Sequence, residues 1–203
     1  MTFSSYPAGI AYQSLVAKLN VVRLCVLCLL LHLAGCAPAM APPINHKTEP
    51  VLARSHFKAA DSAVLPVRSW LPVTGQPKAI ILALHGFNDY SNAFSQPGLY
   101  LSSRDIAVFA YDQRGFGNAP GRGRWAGANN YMADVVAISQ RLRQRYPGIP
   151  LYLLGESMGG AVVIAAMTSA QPGLVNGIIL SAPAVWSRDT MPWYQRAVLA
   201  LAA

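Results

Sequence analysis

Four short apolar runs constrain the fold of this chain more than any other feature. Ala79-Ile80-Ile81-Leu82-Ala83-Leu84, Ile106 to Tyr111, Leu151 to Leu154 and Gly177 to Leu180 each have strand length. A strand with one wet face alternates apolar and polar residues. The first run is continuous and aliphatic, which predicts burial on both faces. Helical patterns lie between the runs. From Asn129 to Tyr146, the residues Met132, Val135, Val136, Leu142 and Tyr146 fall near one helical face. Asn129 or Asn130 can cap its start, Arg141, Arg143 and Arg145 suit its end, and Pro147-Gly148 stops it. Upstream, Val64 to Leu71 reads as a strand ended by Pro72, with His56 to Ala60 pairing to it across Asp61-Ser62. Strands alternating with helices predict an α/β protein: a mostly parallel sheet with helices on both faces.

Composition narrows the class. Of 203 residues, 53% are hydrophobic and 12% charged, which excludes intrinsic disorder. The length suits one domain with a small appendage, and no internal repeat points to a solenoid. Sixteen Lys and Arg against eight Asp and Glu give a formal charge of +8. The basic residues are scattered, and the densest group, Arg114, Arg122 and Arg124, sits in a Gly-rich loop. A nucleic-acid surface would cluster them on one element, so no nucleic-acid partner is expected.

The first 48 residues contain no Asp or Glu. Lys18 and Arg23 precede an uncharged run, Leu24 to Ala34, which is short for a bilayer span and fits the apolar part of a secretory signal. Leu33-Ala34-Gly35-Cys36 resembles a bacterial lipobox. That resemblance implies a signal over residues 1–35, with Cys36 as the lipidated first mature residue. It places the protein in the bacterial cell envelope, lipid-anchored on the periplasmic face of the outer membrane in a Gram-negative cell. Cys25 and Cys28 lie inside the apolar run and carry no redox context, so the mature chain keeps one cysteine. Residues 36–54 carry prolines at 38, 42, 43 and 50 and read as a tether, Ala37 to Ala53 reaching about 50 Å at about 3.1 Å per residue. The remaining 55–203 are the globular part.

The chemistry sits at strand ends. Gly155-Glu156-Ser157-Met158-Gly159 follows the Leu151–Leu154 run and opens a predicted helix, Met158 to Ala170. A serine on so tight a strand-to-helix turn is held in a strained conformation, and glycine at 155 and 159 removes side chains that would crowd it. The helix N-terminus favours negative charge beside Ser157. His85-Gly86-Phe87 ends the Ala79–Leu84 strand. Gly115-Phe116-Gly117 after the Ile106–Tyr111 strand is not a dinucleotide site, because Pro120 falls where a third glycine is needed and no helix opens there.

These residues, with Tyr111-Asp112-Gln113-Arg114-Gly115-Phe116-Gly117 and Leu180-Ser181-Ala182-Pro183, resemble the α/β-hydrolase superfamily. Within it they are most similar to the branch of monoacylglycerol lipases and lysophospholipases, over residues 55–203. The resemblance implies the α/β-hydrolase fold, with Ser157 as nucleophile and the backbone N–H groups of Phe87 and Met158 as the oxyanion hole. It implies a small acyl-ester or lipid substrate and no cofactor or metal. His85 is a structural loop residue in that pattern, and Asp112 and Arg114 are read as loop-structuring in preference to catalytic.

In this superfamily the triad runs Ser, then Asp or Glu, then His. All four histidines, at 32, 46, 56 and 85, precede Ser157, and the only acid after it is Asp189. No base or triad acid is therefore assigned. Met191 to Ala203 reads as a helix opening towards a cap. The expectation is an α/β-hydrolase truncated before the cap and last strands, whose Gly177–Leu180 strand is left as an apolar edge. A serine aminopeptidase on the same scaffold and a non-catalytic membrane-tethered remnant are the alternatives.

Overall fold

The computed structural model describes residues 18–28, 48–170, 172–186 and 188–202. They divide into two compact units, Ala39–Trp186 and the pair Met1–Pro38 with Ser187–Ala203. The sheet lies within the unit Ala39–Trp186.

The larger unit is one seven-stranded sheet. Its strands are β1 (Val51–Leu52), β2 (His56–Lys58), β3 (Val64–Trp70), β4 (Ala79–Leu84), β5 (Ile106–Tyr111), β6 (Leu151–Glu156) and β7 (Gly177–Ser181). Their spatial order is β1-β2-β3-β5-β4-β6-β7. The first three meander antiparallel and β3 joins β5 antiparallel, whereas β5, β4, β6 and β7 run parallel. This is the mixed, mostly parallel sheet that the apolar runs predict.

Both faces are covered, as continuous apolar strands require. Ile80, Leu82 and Leu84 of β4 enter the larger core, with Tyr131, Val135, Ile138 and Leu142 of α3 (Ala128–Arg145) and Val162, Val163 and Ala166 of α4 (Met158–Ser169). Ile81 and Ala83 point the other way, into a smaller core with Phe94, Val108 and Ala110. On that side lie a 3-10 turn (Ser91–Phe94) and α2 (Ser95–Ser102). The β7 edge is apolar and open: Ile178, Ile179 and Leu180 are 43%, 45% and 38% exposed.

Two expectations are corrected. The 36–54 tether ends earlier, since Val51–Leu52 pairs with β2, Leu52 is buried, and Arg145 donates to the Leu52 carbonyl. Thr48 also joins the fold, its N–H bonding Ala60 O at 2.9 Å. Neither Asn129 nor Asn130 caps α3. Gly127, at φ 82, is the cap residue, and the Asn130 amide reaches back to Ala126 O at 2.7 Å.

The smaller unit contains helix α1 at residues 18–28, a 3-10 turn (Arg188–Thr190) and α5 (Trp193–Ala202). The Pro192 carbonyl accepts the N–H groups of Gln195 and Arg196 and so starts α5. Among the described residues no helix is long and apolar enough to cross a membrane. Leu33 to Cys36 lie outside the described residues.

Candidate functional site

The geometry begins at the β6–α4 junction. Ser157 occupies φ 50, ψ −114, a conformation that costs an L-residue strain and persists only where its neighbours fix it. Three main-chain bonds do so: Ser157 N–H donates to Ser181 O (2.9 Å), and its carbonyl accepts from Ala161 (3.2 Å) and Ala184 (2.9 Å). The turn is closed so tightly that a Cβ on Gly155 would lie 2.6 Å from Gly160 Cα. A Cβ on Gly159 would strike the Leu84 carbonyl. The start of α4 therefore rests directly on the end of β4.

That contact brings the two sequence motifs together. β4 and β6 are parallel neighbours with Leu84 opposite Gly155, so His85-Gly86-Phe87 and Ser157-Met158 leave the sheet at one edge. The Met158 N–H belongs to the first turn of α4, whose amides have no intrahelical acceptor. The Phe87 N–H donates to none of the described residues, and neither does the Ser157 hydroxyl. The Phe87 ring is 64% exposed and meets Phe116 edge-on at 5.4 Å. The Glu156 carboxylate lies over Gly86, where a Cβ would come within 2.5 Å of its Oε2.

His85 is buried and both its nitrogens are engaged. Gln113 N–H donates to Nε2 at 3.0 Å, so Nδ1 carries the proton and donates to Gly86 O at 2.8 Å. Burial holds its pKa below the ordinary value, against the Gly86 carbonyl and the nearby Asp112, Asp89 and Glu156. With no free lone pair, it has a structural role rather than that of a base. Asp112 is likewise structural. Its Oδ1 accepts Ser91 N–H (3.0 Å) and Oγ–H (2.6 Å), and its Oδ2 accepts Asn118 N–H (2.9 Å).

Arg114 links three segments. Its guanidinium bonds Asp134 on α3 through Nε (2.6 Å) and Nη2 (2.9 Å), and Asp61 in the β2–β3 turn through Nη1 (2.6 Å) and Nη2 (3.0 Å). Burial pushes the Asp134 carboxyl up to about 6 despite the opposing pull of Arg114. Burial acts the same way on Asp61, but its bonds to Arg114 and Ala63 outweigh it and leave that carboxyl below its ordinary value. Asp61 and Asp134 carry no motif. The one signal for Asp134 is an acid on the apolar face of α3, which demands a buried cation. Among the described residues no group of three or more His, Cys, Asp or Glu could hold a metal ion. Asp189 lies in the 3-10 turn of the smaller unit.

A mixed, mostly parallel sheet covered on both faces, with a strained serine between strand and helix, defines the α/β-hydrolase fold. Residues 75–203 match the family described as Hydrolase_4: Serine aminopeptidase, S33, and the chain belongs to that family. It is similar to the monoglyceride lipase of Homo sapiens, 37% identical over 132 residues, covering 64% of this chain and 43% of the relative. The monoglyceride lipase of Mus musculus is 31% identical over 148 residues, 72% of this chain and 48% of the relative. The solved structure of a soluble variant of monoglyceride lipase from Saccharomyces cerevisiae, in complex with a substrate analog, superposes with a TM-score of 0.59. It is 26% identical, with 79% of this chain and 54% of that chain covered. The chain thus spans about half the length of the curated relatives it matches.

Proposed function

We propose that this chain carries the nucleophile and oxyanion hole of a serine hydrolase of carboxylic esters, acting on acylglycerols or lysophospholipids. The observation that carries the reading is Ser157 at positive φ at the same end of the sheet as the Phe87 and Met158 N–H groups, with neither its hydroxyl nor the Phe87 N–H donating to any described residue. Ser157 Oγ attacks the ester carbonyl carbon. The two N–H groups and the start of α4 receive the charge that gathers on the carbonyl oxygen, each donor contributing about 3–4 kcal/mol in the transition state. The tetrahedral intermediate collapses with loss of the alcohol, and water then releases the acid from the acyl-serine. No base or triad acid is assigned: no histidine follows Ser157 in these 203 residues, and both nitrogens of His85 are engaged. The exposed ring of Phe87, edge-on to the half-buried ring of Phe116, offers an apolar surface to an acyl chain.

The same reading includes an anchor: Cys36 is lipidated and holds the domain at a membrane of the bacterial envelope. The lipobox pattern supports this, and several acyl chains bind far more firmly than one.

The family's description as serine aminopeptidase favours a second reading, cleavage of an N-terminal residue by the same serine. One experiment separates the two. The full-length protein is assayed on a monoacylglycerol and on an aminoacyl anilide, with fluorophosphonate labelling in parallel. Ester turnover and labelling, both abolished by Ser157→Ala, are expected. Anilide turnover without ester turnover would establish the peptidase. Unchanged labelling in Ser157→Ala would remove the nucleophile assignment.

A further inference from the structure

Phe87 offers its N–H only if the Gly86–Phe87 peptide plane is held, and the residues that hold it are themselves held by Gln113. The peptide is trans, as are all the described peptides, so the Gly86 carbonyl and the Phe87 N–H point in opposite directions within one plane. Fixing the carbonyl therefore aims the N–H. His85 Nδ1–H donates to that carbonyl at 2.8 Å, and Asp89 N–H adds a longer bond at 3.3 Å.

Gln113 grips His85 twice. Its main-chain N–H donates to Nε2 at 3.0 Å and selects the ring tautomer that places the proton on Nδ1. Its side-chain Nε2 donates to the His85 carbonyl at 2.8 Å and fixes the preceding peptide. Both residues are 0% exposed. The Phe116 ring, three residues on, packs edge-on against both His85 (5.6 Å) and Phe87 (5.4 Å). The Gln113 Oε1 is buried with no partner among the described residues. A buried acceptor left unpaired is a cost, and a leucine of similar volume would avoid it. The amide is kept for what its other end does.

We infer that Gln113 is a positioning residue of the oxyanion hole, acting through His85 and the Gly86 carbonyl to aim the Phe87 N–H at the developing oxyanion. This rests on the proposed serine-hydrolase reading. Donors that must meet charge only in the transition state affect kcat more than KM.

The test uses the full-length protein with a soluble ester, comparing Gln113→Leu, Gln113→Glu and Ser157→Ala. Gln113→Leu removes the donor to His85 O and is expected to lower kcat about 10- to 100-fold, with KM within about threefold. Gln113→Glu puts a carboxylate against the His85 carbonyl at neutral pH. Once protonated, that carboxyl can donate where the amide did. The ratio of its kcat to that of the unaltered protein should therefore recover as pH falls, and a structural defect has no reason to do so. The other charged groups facing this turn, Asp89, Asp112 and Glu156, are present in both proteins. If Gln113→Leu does not accumulate as folded protein, the Gln113→Glu ratio decides alone. Unchanged kcat, a loss confined to KM, or a ratio flat with pH overturns the positioning role. Ser157→Ala separates the two levels. If it is inactive while the Gln113 variants turn over normally, only Gln113 loses its role. If it turns over like the unaltered protein, the hydrolase reading falls and this proposal with it.

Discussion

The two glycines that follow Ser157 and Met158 have different neighbours, and that difference can be measured. A Cβ on Gly159 meets main-chain atoms of Leu84 and His85, which cannot rotate away. A Cβ on Gly160 meets Pro183, at 2.8 Å from its Cβ and 3.0 Å from its Cα, and lies 3.2 Å from the Gly155 carbonyl, looser main-chain contacts than the 2.2 Å at Gly159. Gly159→Ala should cost about 1–3 kcal/mol and push α4 off β4, parting Met158 from Phe87. Fluorophosphonate labelling should fall far more than in Gly160→Ala; equal labelling in the two variants would contradict this account of the turn. Arg114 supplies a second case. Arg114→Met keeps much of the side-chain volume but leaves Asp134 buried without its cation, a change worth about 3–5 kcal/mol. Asp134 already has its pKa raised from 3.8 to about 6, and without Arg114 it rises further. A carboxyl whose folded pKa exceeds its unfolded value favours folding when protonated. The stability deficit of Arg114→Met at pH 8 should therefore shrink as pH falls towards 5 in urea titrations. Ser157, Gly155 and Gly159 stood out in the sequence because they fall within one five-residue strand-to-helix turn, and His85 because it ends a strand. Asp61, Asp134 and Gln113 were not legible, because their partners lie 53, 20 and 28 residues away.

At the scale of elements, legibility followed burial. Strands β4 and β5 are apolar through their length because helices cover both faces, β6 is apolar up to Gly155-Glu156, and α3 shows its periodicity because one face alone is buried. Two of the elements that escaped, β1 and α2, have local sequence that argues against them. β1 is two residues long, and only Leu52 has a buried side chain. Helix α2 begins Ser95-Gln96-Pro97-Gly98, which reads as a turn. Pro97 is tolerated because first-turn amides need no helical partner, and Gly98 is required because any Cβ there would enter the Trp70 ring. Gly98→Ala brings better helix propensity, worth about 0.8–1.0 kcal/mol, yet the clash should win. A net destabilisation of about 1–3 kcal/mol is expected, with a change in Trp70 fluorescence as α2 shifts from β3 and β5. A stabilised variant would show that α2 is held by something other than this close approach.

At the scale of the whole molecule, Ser157, Phe87 and Met158 all belong to the unit Ala39–Trp186, whose core covers both sheet faces. The proposed anchor, Cys36, precedes that unit. Chemistry and attachment should then be separable, and the charge of +8 supplies a competing way to reach a membrane. Attraction between basic side chains and anionic lipid is screened by salt, the screening length falling from about 10 Å at 0.1 M to about 3 Å at 1 M. Burial of acyl chains, at about 0.8 kcal/mol per CH2, is not weakened that way. The unaltered full-length protein should remain on membranes through a wash in about 1 M salt. Cys36→Ser should accumulate as an unprocessed precursor that incorporates no labelled fatty acid. Once the segment before residue 37 is replaced by an ordinary secretory signal, the protein should leave the membrane on the same wash. That soluble form should label with fluorophosphonate at the rate of the anchored one, because Ser157, Phe87 and Met158 all lie within Ala39–Trp186. Release of the unaltered protein by salt would assign attachment to charge, and fatty-acid incorporation into Cys36→Ser would remove Cys36 from the mechanism.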